Sequence, residues 1–114
     1  MFTFYHNPRC SKSRQGLALL EARGVPLEVV RYLDNPPSAA TLKALVKKLG
    51  ITPRQLLRKG EEDYKTLGLA DDSLSDKHIL EAMSQHPKLI ERPIVFDDQR
   101  AAIGRPPENL LDVL

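Results

Sequence analysis

The chain has 114 residues with 17 basic and 15 acidic side chains, a formal net charge of +2, and one cysteine. This length suits one compact domain. The positive charge is small and scattered, so it gives no indication of a nucleic-acid partner. A single cysteine excludes an intrachain disulfide and a multi-thiolate metal site. No apolar run approaches the roughly 18 residues of a membrane-spanning helix, and Met1 leads into strand-like sequence, so we expect a cytoplasmic protein without a metal, nucleic-acid or membrane partner.

The first third of the chain predicts a strand, a helix and a second strand. Residues 1–5 carry Phe at alternate positions, and a helix is expected over residues 11–23, with Gly24 as its left-handed stop. Residues 25–33 predict the second strand. The buried stripe of the helix is expected to be Leu17, Leu20, Ala18 and Ala22. Two strands joined through a helix predict a parallel pair with a right-handed crossover.

The middle of the chain predicts helices only. Ser38 is the expected cap of a helix whose apolar residues recur at helical spacing until Gly50, namely Leu42, Leu45, Val46 and Leu49. Thr52 followed by Pro53 is typical of a second helix start. A short helical piece over residues 61–67 and a helix capped by Ser75 complete this insert, which spans about residues 38–87.

The last quarter predicts a β-hairpin and a terminal helix. Residues 93–96 and 100–103 are strand-like on either side of a turn, and Arg105-Pro106 follows the break at Gly104. The predicted order is β-α-β, a helical insert, then β-β-α. This order matches an α/β fold of the thioredoxin-like (glutaredoxin-like) type, a mixed sheet flanked by helices, in one domain over residues 1–114.

The only cysteine, Cys10, is predicted to lie where the first strand turns into the first helix. Unpaired N–H groups and the dipole of a helix start favour an anion there, and nearby cations lower the pKa of a cysteine below roughly 8.5. Neighbours in the sequence offer such cations, namely Arg9, Lys12, Arg14 and, if protonated, His6. The same N–H groups, with the hydroxyls of Ser11 and Ser13, are suited to an oxyanion. The alternative is that Cys10 is a small buried hydrophobic residue.

Three arginines lie at the ends of predicted elements, Arg58, Arg92 and Arg105. Loops at element ends deliver binding groups, and the guanidinium fork matches an oxyanion. Taken singly, each also fits an ordinary surface arginine. Their joint significance depends on convergence near Cys10, which spacing does not show.

The remaining candidates are a proline and the histidines. Pro93 opens a strand and is compatible with either a cis or a trans peptide bond. His6 is suited to stabilising the thiolate or orienting the loop more than to acting as a direct base. His78 and His86 have no cysteine or carboxylate cluster at metal-ligand spacing, so we interpret both as ordinary helix residues.

Four stretches of the chain share a pattern with one known family. The first is His6-Asn7-Pro8-Arg9-Cys10-Ser11-Lys12-Ser13-Arg14, and the others are Leu56-Leu57-Arg58, Glu91-Arg92-Pro93-Ile94-Val95 and Gly104-Arg105-Pro106. The first resembles the H-x3-C-x3-R active-site loop of the glutaredoxin-coupled arsenate reductase (ArsC) family, particularly its YfgD-like branch. With the other three in the same order, the resemblance covers nearly the whole chain.

The resemblance implies a function and a role for each matching residue. Cys10 would be the nucleophile that reduces arsenate, or a similar oxyanion, to arsenite. Arg58, Arg92 and Arg105 would bind the oxyanion, Pro93 would be cis, and His6 and Arg14 would tune the loop and the thiolate. It further implies glutathione as co-substrate and glutaredoxin as partner, with no tightly bound cofactor, which agrees with a lone cysteine that cannot resolve its own adduct.

Two other functions stay open at this point. A Spx-like regulator that binds RNA polymerase typically uses Cys-x-x-Cys, whereas the second position here is Ser13. A monothiol glutaredoxin-like oxidoreductase acting on glutathione mixed disulfides needs only Cys-x-x-Ser. The three arginines favour a small oxyanion over a mixed disulfide, whereas a redox-insensitive polymerase-binding role stays open.

Overall fold

A computed structural model describes residues 1–114, which form two compact units. One unit consists of Met1–Asn35 together with Arg92–Leu114, and the other of Pro36–Glu91. The second unit covers the predicted helical insert. That both units make up a single domain stays a prediction.

The first unit is built on a mixed four-stranded sheet. Its elements are strand β1 (Phe2–Tyr5), helix α1 (Ser11–Ala22) and strand β2 (Leu27–Val30), followed after the insert by strands β3 (Ile94–Phe96) and β4 (Ala101–Ile103). The strand order is β2-β1-β3-β4, with β1 parallel to β2 and antiparallel to β3, and with β3 antiparallel to β4. The predicted thioredoxin-like α/β topology is therefore confirmed.

Strand β2 is shorter than the predicted strand over residues 25–33. Its start is delayed because the N–H of Val25 still donates to Leu20 O at the end of α1, over 3.2 Å. Its end comes early because the backbone turns at Arg31, whose carbonyl accepts from the N–H groups of Asp34 and Asn35, both at 3.0 Å. Arg31 thus directly follows the strand instead of lying within it.

The core of the first unit joins α1, the sheet and a terminal helical segment. Buried residues of the cluster are Phe4, Leu20, Val95, Ala102, Leu110 and Val113. The C-terminal segment Pro107–Val113 is a 3₁₀ helix, tighter than the α-helix that a periodic pattern suggests. On α1, the predicted burial of Ala18 and Ala22 is wrong: both are exposed, and the buried residues are Ser13, Gly16 and Leu20.

The second unit contains the helices α2 (Ala39–Leu49), α3 (Pro53–Leu56), α4 (Glu62–Thr66) and α5 (Asp76–Gln85), and a 3₁₀ turn at Pro87–Leu89. Ser38, Thr52 and Ser75 cap their helices as predicted, each accepting a backbone N–H three residues on. Gly50 ends α2 with φ 67°. None of the helices has the length and apolar character needed to cross a bilayer.

Candidate active site

Cys10 occupies the N-cap position of α1, at the carboxyl end of the loop that leaves β1. Its backbone is extended, with φ −95° and ψ 122°, and its carbonyl accepts the first helical hydrogen bond from Arg14 N at 3.0 Å. Its own N–H donates to Asn7 O at 3.0 Å, which folds the loop into a tight turn. The sulfur therefore lies at the helix start that the sequence predicted.

The thiol of Cys10 has a pKa below its ordinary value, although burial by itself raises that pKa. Hydrogen bonding from the Ser13 backbone and from the Arg92 side chain, with the positive charge of Arg92 and the Lys12 backbone, outweighs burial. Only about 8% of the residue is exposed. The structure thus contains a shielded cysteine that is stabilised as the thiolate, which is the nucleophilic form.

Ser13 holds the loop from inside. Its side chain is fully buried, and its Oγ lies 2.7 Å from His6 Nδ1 and accepts the Asn7 N–H at 2.9 Å. Asn7 in turn accepts Arg9 N–H on its side-chain oxygen at 3.1 Å. The predicted contribution of the Ser13 hydroxyl to oxyanion binding stays a prediction, while its visible role is to join the two ends of the loop.

His6 is a loop-orienting residue rather than a cation. Burial, and then the charges of Arg31 and Arg14, lower the pKa of its imidazole, and only Glu21 opposes them. A neutral ring lets the Ser13 O–H donate to Nδ1. Cationic neighbours and burial both disfavour a charged imidazole. Its contacts therefore favour the loop-orienting role, and the predicted effect of His6 on the thiolate stays a prediction.

Arg14 fastens the loop from its exposed side. Its guanidinium donates to Pro8 O at 2.8 Å, across six residues. The contact holds Pro8 to the start of α1, and the predicted tuning of the loop by Arg14 stays a prediction. The charge that acts on the cysteine from outside the loop belongs to Arg92, which is remote in sequence.

Arg92 and Arg105 are joined by a hydrogen bond, and the Arg92 side chain contacts the cysteine. The Arg92–Pro93 peptide bond is cis, as the resemblance implied, and a second cis bond joins Arg105 to Pro106. Arg105 Nε donates to Arg92 O at 2.9 Å, and Gly104 N donates to Pro93 O at 2.8 Å. Arg92 thus reaches Cys10 with its side chain while its backbone is held by Arg105.

Arg58 lies in the second unit, two residues after α3. It forms an ion pair with Glu61, and its Nε lies 3.8 Å from a carboxylate oxygen of Glu91. Its own N–H donates to Leu89 O at 2.8 Å. The prediction that Arg58 binds the same oxyanion as Cys10 stays a prediction.

Sequence reasoning missed Arg31, whose charge acts on His6. The signal was available, because β1 and β2 are parallel and the residues that follow parallel strands meet at one sheet edge. His6 follows β1 and Arg31 follows β2, and the His6 N–H donates to Val30 O at 2.9 Å. The sequence prediction extended the second strand to residue 33, so it did not recognise that Arg31 follows the strand and lies near His6.

Comparison with known proteins identifies the family of this chain. A sequence model of the ArsC family matches residues 5–113. The chain belongs to the ArsC family. The match includes the Cys10 loop, Arg92 and Arg105, so the lowered cysteine pKa and the arginine beside it occur within an ArsC-family domain.

Relatives in the ArsC family match along almost the full length. The uncharacterized protein YfgD of Escherichia coli K12 is 54% identical, over 96% of this chain and 93% of its own. An arsenate reductase of Neisseria meningitidis serogroup B is 50% identical, over 96% of this chain and 95% of its own length. The solved structure of an arsenate reductase from Vibrio cholerae superposes with a TM-score of 0.96 at 50% identity, covering 99% of this chain and 97% of that one.

Proposed function

We propose that this protein is an arsenate reductase that uses glutathione and glutaredoxin. The observation that supports the proposal most is the cysteine at the start of α1, whose pKa is lowered by helix N–H groups and by Arg92. Near full-length similarity to arsenate reductases of Neisseria meningitidis and Vibrio cholerae supports arsenate as the oxyanion substrate.

In the first step, the Cys10 thiolate attacks arsenic. A sulfur–arsenic bond forms and one arsenate oxygen leaves as water after it takes up protons, so arsenic stays pentavalent. The N–H groups at the start of α1 and the Arg92 guanidinium stabilise the negative charge on the remaining oxygens. Arg105 supports this geometry by holding the Arg92 backbone.

The later steps need two further thiols, because the chain contains one cysteine. Glutathione sulfur replaces a second arsenic oxygen, which also leaves as water. Glutaredoxin thiolate then attacks the glutathione sulfur, so the electron pair of the sulfur–arsenic bond passes to arsenic, which becomes trivalent, and a mixed disulfide forms. Water displaces arsenite from Cys10. We place the protein in the cytoplasm, where thiols are kept reduced.

A coupled assay tests the proposal. Purified protein, glutathione, glutaredoxin and arsenate are combined, and NADPH oxidation through glutathione reductase is followed. We expect arsenate-dependent turnover that Cys10→Ser abolishes, because a hydroxyl is a far weaker nucleophile than a thiolate at neutral pH. Arg23→Gln, at the exposed far end of α1, serves as the control and retains turnover.

Other outcomes separate the alternatives. Residual turnover of Cys10→Ser close to that of the unchanged protein would falsify the nucleophile assignment. Turnover only with a glutathione mixed disulfide would replace the proposal with a monothiol glutaredoxin-like activity. Neither activity, with co-purification of RNA polymerase, would replace it with a Spx-like role.

A further inference from the structure

A cavity lies beside the active-site loop, within the first unit. Its volume is about 250 Å³, and its lining includes His6, Arg9, Arg31, Leu33 and Asp34. Complete small-molecule sites measure roughly 300 to 1,000 Å³, so this cavity suits one end of a ligand rather than a whole one. One wall is the loop that ends at Cys10, and the other is the turn that follows β2.

The charges at this cavity have both signs. Arg9 and Arg31 are exposed cations, Asp34 is an exposed anion, and the imidazole of His6 is neutral because its pKa is lowered. The effect of Arg31 on that pKa places its positive charge close to the loop. The carboxylate of Asp34 would repel an inorganic oxyanion in this cavity. An α-amino acid group, in contrast, offers a carboxylate to the two arginines and an ammonium to the aspartate.

We infer that this cavity binds the γ-glutamyl end of the thiol co-substrate, with the α-carboxylate at Arg31 and Arg9 and the α-ammonium at Asp34. The inference rests on the proposed function, in which glutathione is that co-substrate. Arginine is the side chain best suited to a carboxylate, because its N–H groups match both oxygens.

The covalent geometry of the ligand allows this placement. Arg9 and Cys10 are adjacent, so their Cα atoms are about 3.8 Å apart, and an extended tripeptide spans about 10 Å. Cys10 does not itself line the cavity. Glutathione is nevertheless long enough for its glutamyl end to lie at Arg9 and Arg31 while its sulfur extends past the loop towards Cys10. The cavity binds the non-reacting end of the molecule and so raises the local concentration of the reacting thiol.

A binding experiment that does not depend on turnover tests the inference. The full chain is titrated in two-dimensional NMR with S-methylglutathione, with S-methyl-Cys-Gly, which lacks the glutamyl residue, and with inorganic phosphate. We expect S-methylglutathione alone to shift the signals of residues 6–9 and 31–34. Equal shifts with S-methyl-Cys-Gly or with phosphate would overturn the inference in favour of a general anion site.

Variants supply the matched comparison. We expect Arg31→Gln and Asp34→Asn to weaken S-methylglutathione binding by about fivefold to tenfold, in the range of one ordinary hydrogen bond, because both side chains are exposed to water. Arg23→Gln makes the same change in charge at the far end of α1, about 18 Å along the helix, and is expected to leave binding unchanged. Equal affinity of Arg31→Gln and the unchanged protein would overturn the inference.

Kinetics distinguish failure of the inference from failure of the proposed function. In Arg31→Gln the KM for glutathione should rise about fivefold to tenfold, in line with the binding loss, while kcat at saturating glutathione stays the same. Arsenate turnover with an unchanged KM for glutathione would overturn the inference and leave the function intact. Arg31-dependent binding of S-methylglutathione without arsenate turnover would overturn the function and support the cavity as a glutathione site.

Discussion

The reactivity of Cys10 comes from a competition between two opposite effects on one atom. Burial disfavours the thiolate, whereas helix N–H groups and Arg92 favour it, and the second effect prevails. The result is a thiol that ionises more readily than an ordinary cysteine and is still shielded from bulk water. Both properties suit attack on an oxyanion, which must shed water to reach sulfur.

Removing the Arg92 charge should raise the pKa of Cys10. We expect Arg92→Gln to move the pH midpoint of iodoacetamide alkylation upward by about one unit, the scale of a lost charge-assisted hydrogen bond. The midpoint is measured from alkylation rates across pH. Arg23→Gln provides the control, and a midpoint in Arg92→Gln equal to that of the control would contradict the assigned role.

Ser13 should contribute to stability through its buried hydroxyl. Ser13→Ala leaves the Asn7 N–H and the His6 ring without the partner they have now. We expect a loss of about 1–3 kcal/mol in the free energy of unfolding, typical of a buried polar group left unsatisfied. Urea unfolding measures this free energy, with Ser11→Ala at an exposed position as the reference. Equal free energies of unfolding for the two variants would show that the Ser13 hydroxyl does not contribute to stability.

At the scale of elements, the site depends on a close approach between α1, the Pro93 turn and the C-terminal 3₁₀ helix. A methyl group on Gly104 would lie 2.8 Å from Pro93 Cγ and 2.9 Å from Leu110 Cγ, and one on Gly16 would lie 2.7 Å from Leu110 Cδ1. Glycine at both positions lets these elements pack without displacing the turn that carries Arg92.

Gly104→Ala should therefore destabilise the fold and disturb the site together. We expect a loss of about 1–3 kcal/mol, as for other overpacked positions, because a proline ring and a buried leucine have little room to move. Gly60→Ala is the matched control, since a methyl group there meets nothing within 4 Å. Denaturant unfolding gives the stability, and a loss no larger than that of Gly60→Ala would refute the packing argument.

At the scale of the whole molecule, the neutral state of His6 links folding to pH. The folded state holds the pKa of His6 below its ordinary value, so the unfolded chain takes up a proton first as the pH falls. The contribution of His6 to stability is complete above the unfolded pKa of about 6.5 and is lost as the pH falls towards the folded pKa.

We expect His6→Gln to show a smaller loss of stability than the unchanged protein between about pH 7.5 and 5.5, a range that spans the ordinary histidine pKa. The comparison uses the change within each protein, because the substitution also removes the contact with Ser13. Gln15→Ala, at an exposed position of α1 without a titratable group, should retain the original pH dependence. A His6→Gln profile parallel to the unchanged one would disprove the linkage.

Local patterns in the sequence determined much of this protein. Helix caps at Ser38, Thr52 and Ser75 were predictable because a cap is a contact between residues three apart. The position of Cys10 at a helix start, and the thioredoxin-like order of elements, followed in the same way from short-range periodicity and turn residues. The 3₁₀ form of the C-terminal helix was harder to predict from the sequence, because similar apolar spacing occurs in both helix types.

Only the tertiary structure decided which charges act on the site. It made Arg92 the cation at Cys10, placed Arg31 against His6, and left the imidazole of His6 neutral, with its pKa lowered mainly by burial. The parallel pair of β1 and β2 brings Arg31 to His6, and the turn at Pro93 brings Arg92 to Cys10, 82 positions away in the chain. Electrostatic interactions depend on distance and burial in the folded molecule, so the sequence neighbours Arg9 and Arg14 were a poor guide to the charge that acts on Cys10.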